Sequence, residues 1–147
     1  MSDDQMWCAW TIPESTPERG WGAISKKRLR GLVVETMIDA QNSIAALRVH
    51  ISPITEAEEA LVHISLRPSL SAWREWQDFE AELLHTTDNI AHFILSRAAL
   101  EAVIQAPADA FLYVFAEVRN QGTNYKVSHK ISLTDLARAL QFARLGE

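Results

Sequence analysis

The amino-acid order predicts an α+β domain in two layers, a mainly antiparallel sheet with helices packed chiefly on one face. Three observations carry that expectation. Apolar residues recur at three- and four-residue spacing over 25–47 and 69–86, as on one side of a helix, and at every second position over 49–65 and 111–131, as on one side of a strand. The chain has 147 residues, 48% of them apolar, with five glycines and five prolines, which is the size and composition of one core. Residues 1–147 are therefore expected to form a single globular domain, with 1–24 as an aromatic-rich N-terminal arm.

In the arm, Trp7, Trp10 and Trp21 are interspersed with Pro13, Pro17 and Gly20, so a short strand near Trp7–Ile12 should precede an irregular connection. Leu29, Val33, Met37, Ala40, Ile44 and Leu47 then predict a helix from about Ser25 to Asn42. The β-branched Val33, Val34 and Thr36 support a competing pair of strands, Leu32–Ile38 and Ser43–Ile51, turning at Asp39–Asn42.

The tetrapeptide Val-His-Ile-Ser occurs twice, at 49–52 and 62–65, and its alternation predicts a hairpin with Val49 opposite Ile64 and His50 opposite His63. Both imidazoles would face away from the core. From Ser69 or Ser71 to about Thr86 a helix is expected, with Ala72, Trp76, Phe79 and Leu83 inward and Glu75, Asp78, Glu82 and His85 outward. Ala91–Leu95 reads as a strand. Ser96 can cap a helix whose Leu100, Val103 and Ile104 face inward and which ends before Pro107.

Phe111–Arg119 is the strongest strand. Leu112, Val114, Ala116 and Val118 form one side and Phe111, Tyr113 and Phe115 the other, as in a central strand covered on both faces. The arm, a helix or a second subunit would cover the aromatic side, and a homodimer is preferred. Residues 120–124 form a turn into a second hairpin strand carrying Tyr125, Val127, His129 and Ile131, and Ser132 with Asp135 opens a last helix.

The formal charge of -5 disfavours nucleic acid and anionic membrane surfaces as partners. Cys8 is the single cysteine, which excludes an internal disulfide and a multi-cysteine metal centre. No run approaches the ~18 apolar residues of a membrane span. The acidic start Met-Ser-Asp-Asp-Gln-Met lacks the features of a signal peptide, so a cytoplasmic location is expected.

Each candidate for chemistry has a plainer structural reading. His50 and His63 supply two metal ligands where a structural zinc site needs about four, so two solvated polar residues account for them better. Glu82 and His85 have the Glu-x-x-His spacing of dimetal bundles but lie on a face meant for water. Cys8 sits between Trp7 and Ala9, as a buried structural thiol does. Lys26-Lys-Arg-Leu-Arg30 is the one basic cluster, and a solvated turn explains it more simply than phosphate recognition.

With five tryptophans and no catalytic constellation, the chain reads as a non-enzymatic protein-interaction module of bacterial type, masking a partner as immunity, chaperone or adaptor proteins do, without a cofactor or metal. Trp10, Trp21, Phe111, Tyr113 and Phe115 would contact the partner, and Glu56, Glu58 and Glu59 would steer a basic one. The alternative is a small-molecule-binding domain or enzyme whose pocket lies between sheet and helices and is lined by His50, His63, His129 and Cys8. Three or more of those groups around one cavity would favour the pocket, and a flat exposed aromatic surface would favour the interface.

Overall fold

The computed structural model describes residues 8–11, 20–29, 31–41, 44–68, 73–107, 109–120, 122–134 and 136, with side chains from Ile24 onward except at 29, 39–41, 44, 45 and 73. Among the described residues ten strands follow one another: β1 (Cys8–Thr11), β2 (Gly20–Leu29), β3 (Leu32–Gln41), β4 (Ile44–Ser52), β5 (Glu59–Arg67), β6 (Gln77–Glu80), β7 (Glu82–Thr87), β8 (Ile90–Ile94), β9 (Phe111–Asn120) and β10 (Thr123–Ser132). They form a six-stranded sheet in the order β1-β2-β3-β4-β8-β7 and a four-stranded sheet in the order β10-β9-β5-β6. Every pairing is antiparallel.

This overturns the two-layer α+β expectation. The core is the space between two sheets, filled from one side by Val34, Ile38, Leu47, Val49, Ile51 and Phe93 and from the other by Val62, Ile64, Leu112, Val114, Val118 and Ile131. Only α1 (Arg97–Gln105) is a complete α-helix among the described residues, and it packs on β4. Ser96 caps it, its Oγ accepting from Ala99 N at 3.2 Å, and Ala99, Leu100 and Val103 are buried. Ile104, expected inside, is 55% exposed.

The helix expected over Ser25–Asn42 is two strands. Val34, Thr36 and Ile38 turn inward while Val33, Glu35 and Met37 do not, so a period of two governs the segment. The competing strand pair is the nearer description: β3 and β4 pair with Val34 opposite Ile51 and Ile38 opposite Leu47, but β3 runs on to Gln41, so Asp39–Gln41 are ladder residues and not the expected turn. Gly31, at φ +83°, makes the tight reversal from β2 to β3.

Val49, Ile51, Val62 and Ile64 are all buried, as the alternation requires, yet β4 and β5 do not form a hairpin. Val49 lies opposite Thr36 and Phe93, and Ile64 opposite Val114 and Phe79, so the loop 53–58 carries the chain from one sheet to the other. Alternation fixes which way a side chain points and leaves the partner strand open.

The helix expected from Ser69 or Ser71 to Thr86 is a 3-10 turn at Trp73–Glu75 followed by β6 and β7. Phe79 packs against the core, whereas Trp76 is half-buried and Leu83 and Leu84 are 51% and 46% exposed. All six residues of β7 are exposed, so its sequence carries no inward period. Asp88 and Asn89, both at positive φ, turn β7 into β8, a backbone these short polar side chains tolerate.

β9, β10 and the strand at 90–94 match their expected places, with β9 central between β10 and β5. Leu133 and Leu136 are buried at the start of the expected last helix, whose remainder lies outside the described residues. No helix of the described residues is long and apolar enough to cross a membrane.

Candidate partner-binding cleft

β6 pairs with β5 only along His63–Leu66. The last bond between them runs from Ala81 N to Val62 O at 3.0 Å, after which the chain crosses to the other sheet and pairs as β7 with β8. Glu59–Val62 therefore pairs with β9 on one side and, among the described residues, with no strand on the other. Hydrogen-bonding groups of alternate residues point to the same side of a strand, so the N–H and C=O of Ala60 point where Val62 O does, into the opening.

That opening is a cleft of about 830 Å³ between the diverging β5 and β7. Its apolar lining includes Ile54, Val62, Leu83, Ala91, Phe93 and Val127, while Glu58, Glu59, Glu80 and Glu117 border it against one cation, Lys126. Glu58 accepts from Thr55 N and Thr55 Oγ1, each at 3.0 Å, which ties the 53–58 loop into shape. Ile54 N donates to Asn89 O at 2.8 Å, joining that loop to the β7–β8 turn. Arg119 donates to Glu117 at 3.0 Å and holds its carboxyl below the usual range, so Glu117 is an anion at neutral pH.

Beside the cleft, the outer face of the four-stranded sheet is a run of stacked rings and cations. The Arg67 guanidinium lies 4.1 Å from the Trp76 ring and 4.2 Å from that of Tyr113, and His63 stacks on Phe115 at 4.8 Å and 18°. Lys130 sits 4.2 Å over Phe111. The second apolar face of β9 is thus half-covered by the chain's own cations, which ring quadrupoles attract.

The residues expected to form sites are distributed as follows. Glu58, Glu59, His63 and Phe115 meet at the cleft, and Glu56 is exposed in the turn before it. Tyr113 and Phe111 stand on the adjoining face. Trp10 and Trp21 are on β1 and β2, opposite Gly22 and Thr11, and Cys8 is opposite Ile24. The side chains of these three lie outside the described residues.

The histidines do not converge. His50 is on the outer face of the six-stranded sheet, His63 on that of the four-stranded sheet, and His129 between the sheets. His129 Nε2 is 3.3 Å from Ser25 Oγ, and burial, with Lys27 nearby, lowers its pKa to about 4. Lys27 Nζ donates to Ser128 O at 2.6 Å and Lys26 lies 3.9 Å from Glu35, so the basic cluster is partly engaged within the fold.

His50 instead meets two histidines that no pairing in the sequence reading included. It lies opposite His92, ring centroids 4.5 Å apart at 71°, and His92 stacks on His85 at 4.4 Å and 24°. Burial first, then His92, Arg48 and His85, lowers the His50 pKa to about 4, and its Nε2 has no hydrogen-bond partner. The alternation of Ile90–Ile94 points His92 outward, but only the strand order reveals its neighbours. No group of three or more His, Cys, Asp or Glu side chains among the described residues is disposed to hold a metal ion.

No protein-family model, curated protein or solved structure matches the chain.

Proposed function

We propose that this chain is a non-enzymatic protein-interaction module that masks an extended, basic segment of a partner protein by taking it along the unpaired edge of β5. The observation that carries the reading is the open edge Glu59–Leu61, beyond the bond from Ala81 N to Val62 O, facing an apolar cleft with four carboxylates and one lysine at its border. An added strand gains main-chain hydrogen bonds from Ala60, places alternate apolar side chains against Val62 and Phe93, and presents its basic side chains to the border. His50 and His63 lie on the outer faces of different sheets and His129 is buried between them, so these three do not line one pocket.

The test is a fluorescence titration with a short peptide alternating lysine and valine, and a second alternating glutamate and valine. Saturable binding of the first, weakened by salt and by charge reversal at Glu58 and Glu59, supports the reading. Equal binding of both peptides, or binding of neither, contradicts it.

A further inference from the structure

We infer that the imidazole ladder His50, His92 and His85 is an acid-released latch that holds β7 on β8 and thereby sets one wall of the cleft. The inference deepens the reading of the cleft as a binding site, and only its regulatory consequence rests on that reading.

β7 is built to be the first strand to leave. Among the described residues it is an edge strand, none of its six side chains is buried, and its register with β8 is irregular between Leu83 and His85. Beyond the backbone ladder, the His85 ring stacked on His92 is what ties its outer face to the sheet. Elements with few buried contacts open at low free energy.

The charges around the ladder decide how it responds to protons. On β4, Arg48 disfavours the charged forms of His50 and His92. On β3, Glu35 stands opposite His50 but is shared with Lys26 of β2 at 3.9 Å. On β7 and its turn are Glu82 and Asp88, and on α1 the pair Arg97 and Glu101 is closed on itself at 3.3 Å. A proton on one ring therefore meets a neighbouring imidazole about one ring-stack away and a fixed guanidinium, and a second proton adds like-charge repulsion.

Parting β7 from β8 takes the exposed His85 ring away from His92 and opens the covered His92 ring to water. The opened form binds protons more readily, so acid favours it. His92 is held below its ordinary value by burial first, then by His85 and Arg48, and release of β7 removes the His85 contribution and relieves the burial. Leu83 and Thr86 would leave the cleft wall with the strand.

Amide hydrogen exchange on the free, full-length protein tests the latch, with rates corrected for intrinsic pH dependence. Between about pH 7.5 and about pH 5, either side of the ordinary histidine pKa, protection of the β7 amides should fall at least about tenfold more than that of β9. His85→Gln, on the exposed strand, and His92→Phe, which keeps a stacking ring, should both abolish the difference. β7 protection that falls in step with β9, stays constant, or falls equally in both variants overturns the inference. No peptide is present, so the result stands whether or not the lysine-valine peptide binds.

Discussion

Ser25 on β2 and His129 on β10 meet across the gap between the two sheets, Oγ to Nε2 at 3.3 Å, with both residues buried. The imidazole is neutral there because burial and Lys27 disfavour the cation. Its folded pKa of about 4 lies below the ordinary value of about 6.5. Above the ordinary value the ring is neutral folded or unfolded and nothing is lost. As pH falls below it, the unfolded chain takes the proton first, and stability declines until the folded pKa is reached. The loss from this residue has a ceiling of about 3 kcal/mol. Urea titrations should show the midpoint dropping from about pH 7 to about pH 4.5, with a shallower drop in His129→Gln. A variant as acid-sensitive as the parent would show that His129 is not a source of the effect.

Arg67 lies between Trp76 and Tyr113, so it and Trp76 should be energetically coupled. A double-mutant cycle with Arg67→Leu and Trp76→Leu is expected to give a coupling of about 1 kcal/mol, as for a half-desolvated cation–π contact. Additive effects would mean that the contact contributes nothing. Trp76→Ala should cost less than the ~3–5 kcal/mol of a fully buried aromatic, because this ring is only half-buried.

Core and edge should respond differently to truncation. Ile64 is fully buried between the sheets, and Ile64→Ala is expected to cost about 2–5 kcal/mol in chemical denaturation. Leu83 is half-exposed at the edge strand, and Leu83→Ala should cost under about 1 kcal/mol. Similar costs would place Leu83 in the core and deny the open cleft.

What could be read from the sequence was local. Inward alternation at Val49, Ile51, Val62 and Ile64, the doubly apolar run from Phe111, the cap at Ser96 and the turn at Gly122 each depend on neighbours along the chain. The partner of each strand does not. Identical tetrapeptides pair His50 with His63 on sequence alone, whereas the loop 53–58 changes sheets and leaves His50 beside His92. The segment 69–86 misled for a different reason: an edge strand with no buried side chain has no period of two, so the chance spacing of Trp76, Phe79 and Leu83 looked helical. Of the site, Glu58, Glu59, His63 and Phe115 were legible as residues, but the cleft exists only because the chain leaves β5 at Ala81.

The amide of Ala60 gives the most direct measurement. Hydrogen exchange followed by NMR should find it unprotected in the free protein, while the amides of Leu61 and His63, which face β9, are slow. Saturating lysine-valine peptide should then slow Ala60 at least about tenfold, as a new strand takes up its N–H. An Ala60 amide already protected in the free chain, or unchanged when the peptide is bound, would contradict strand addition at β5.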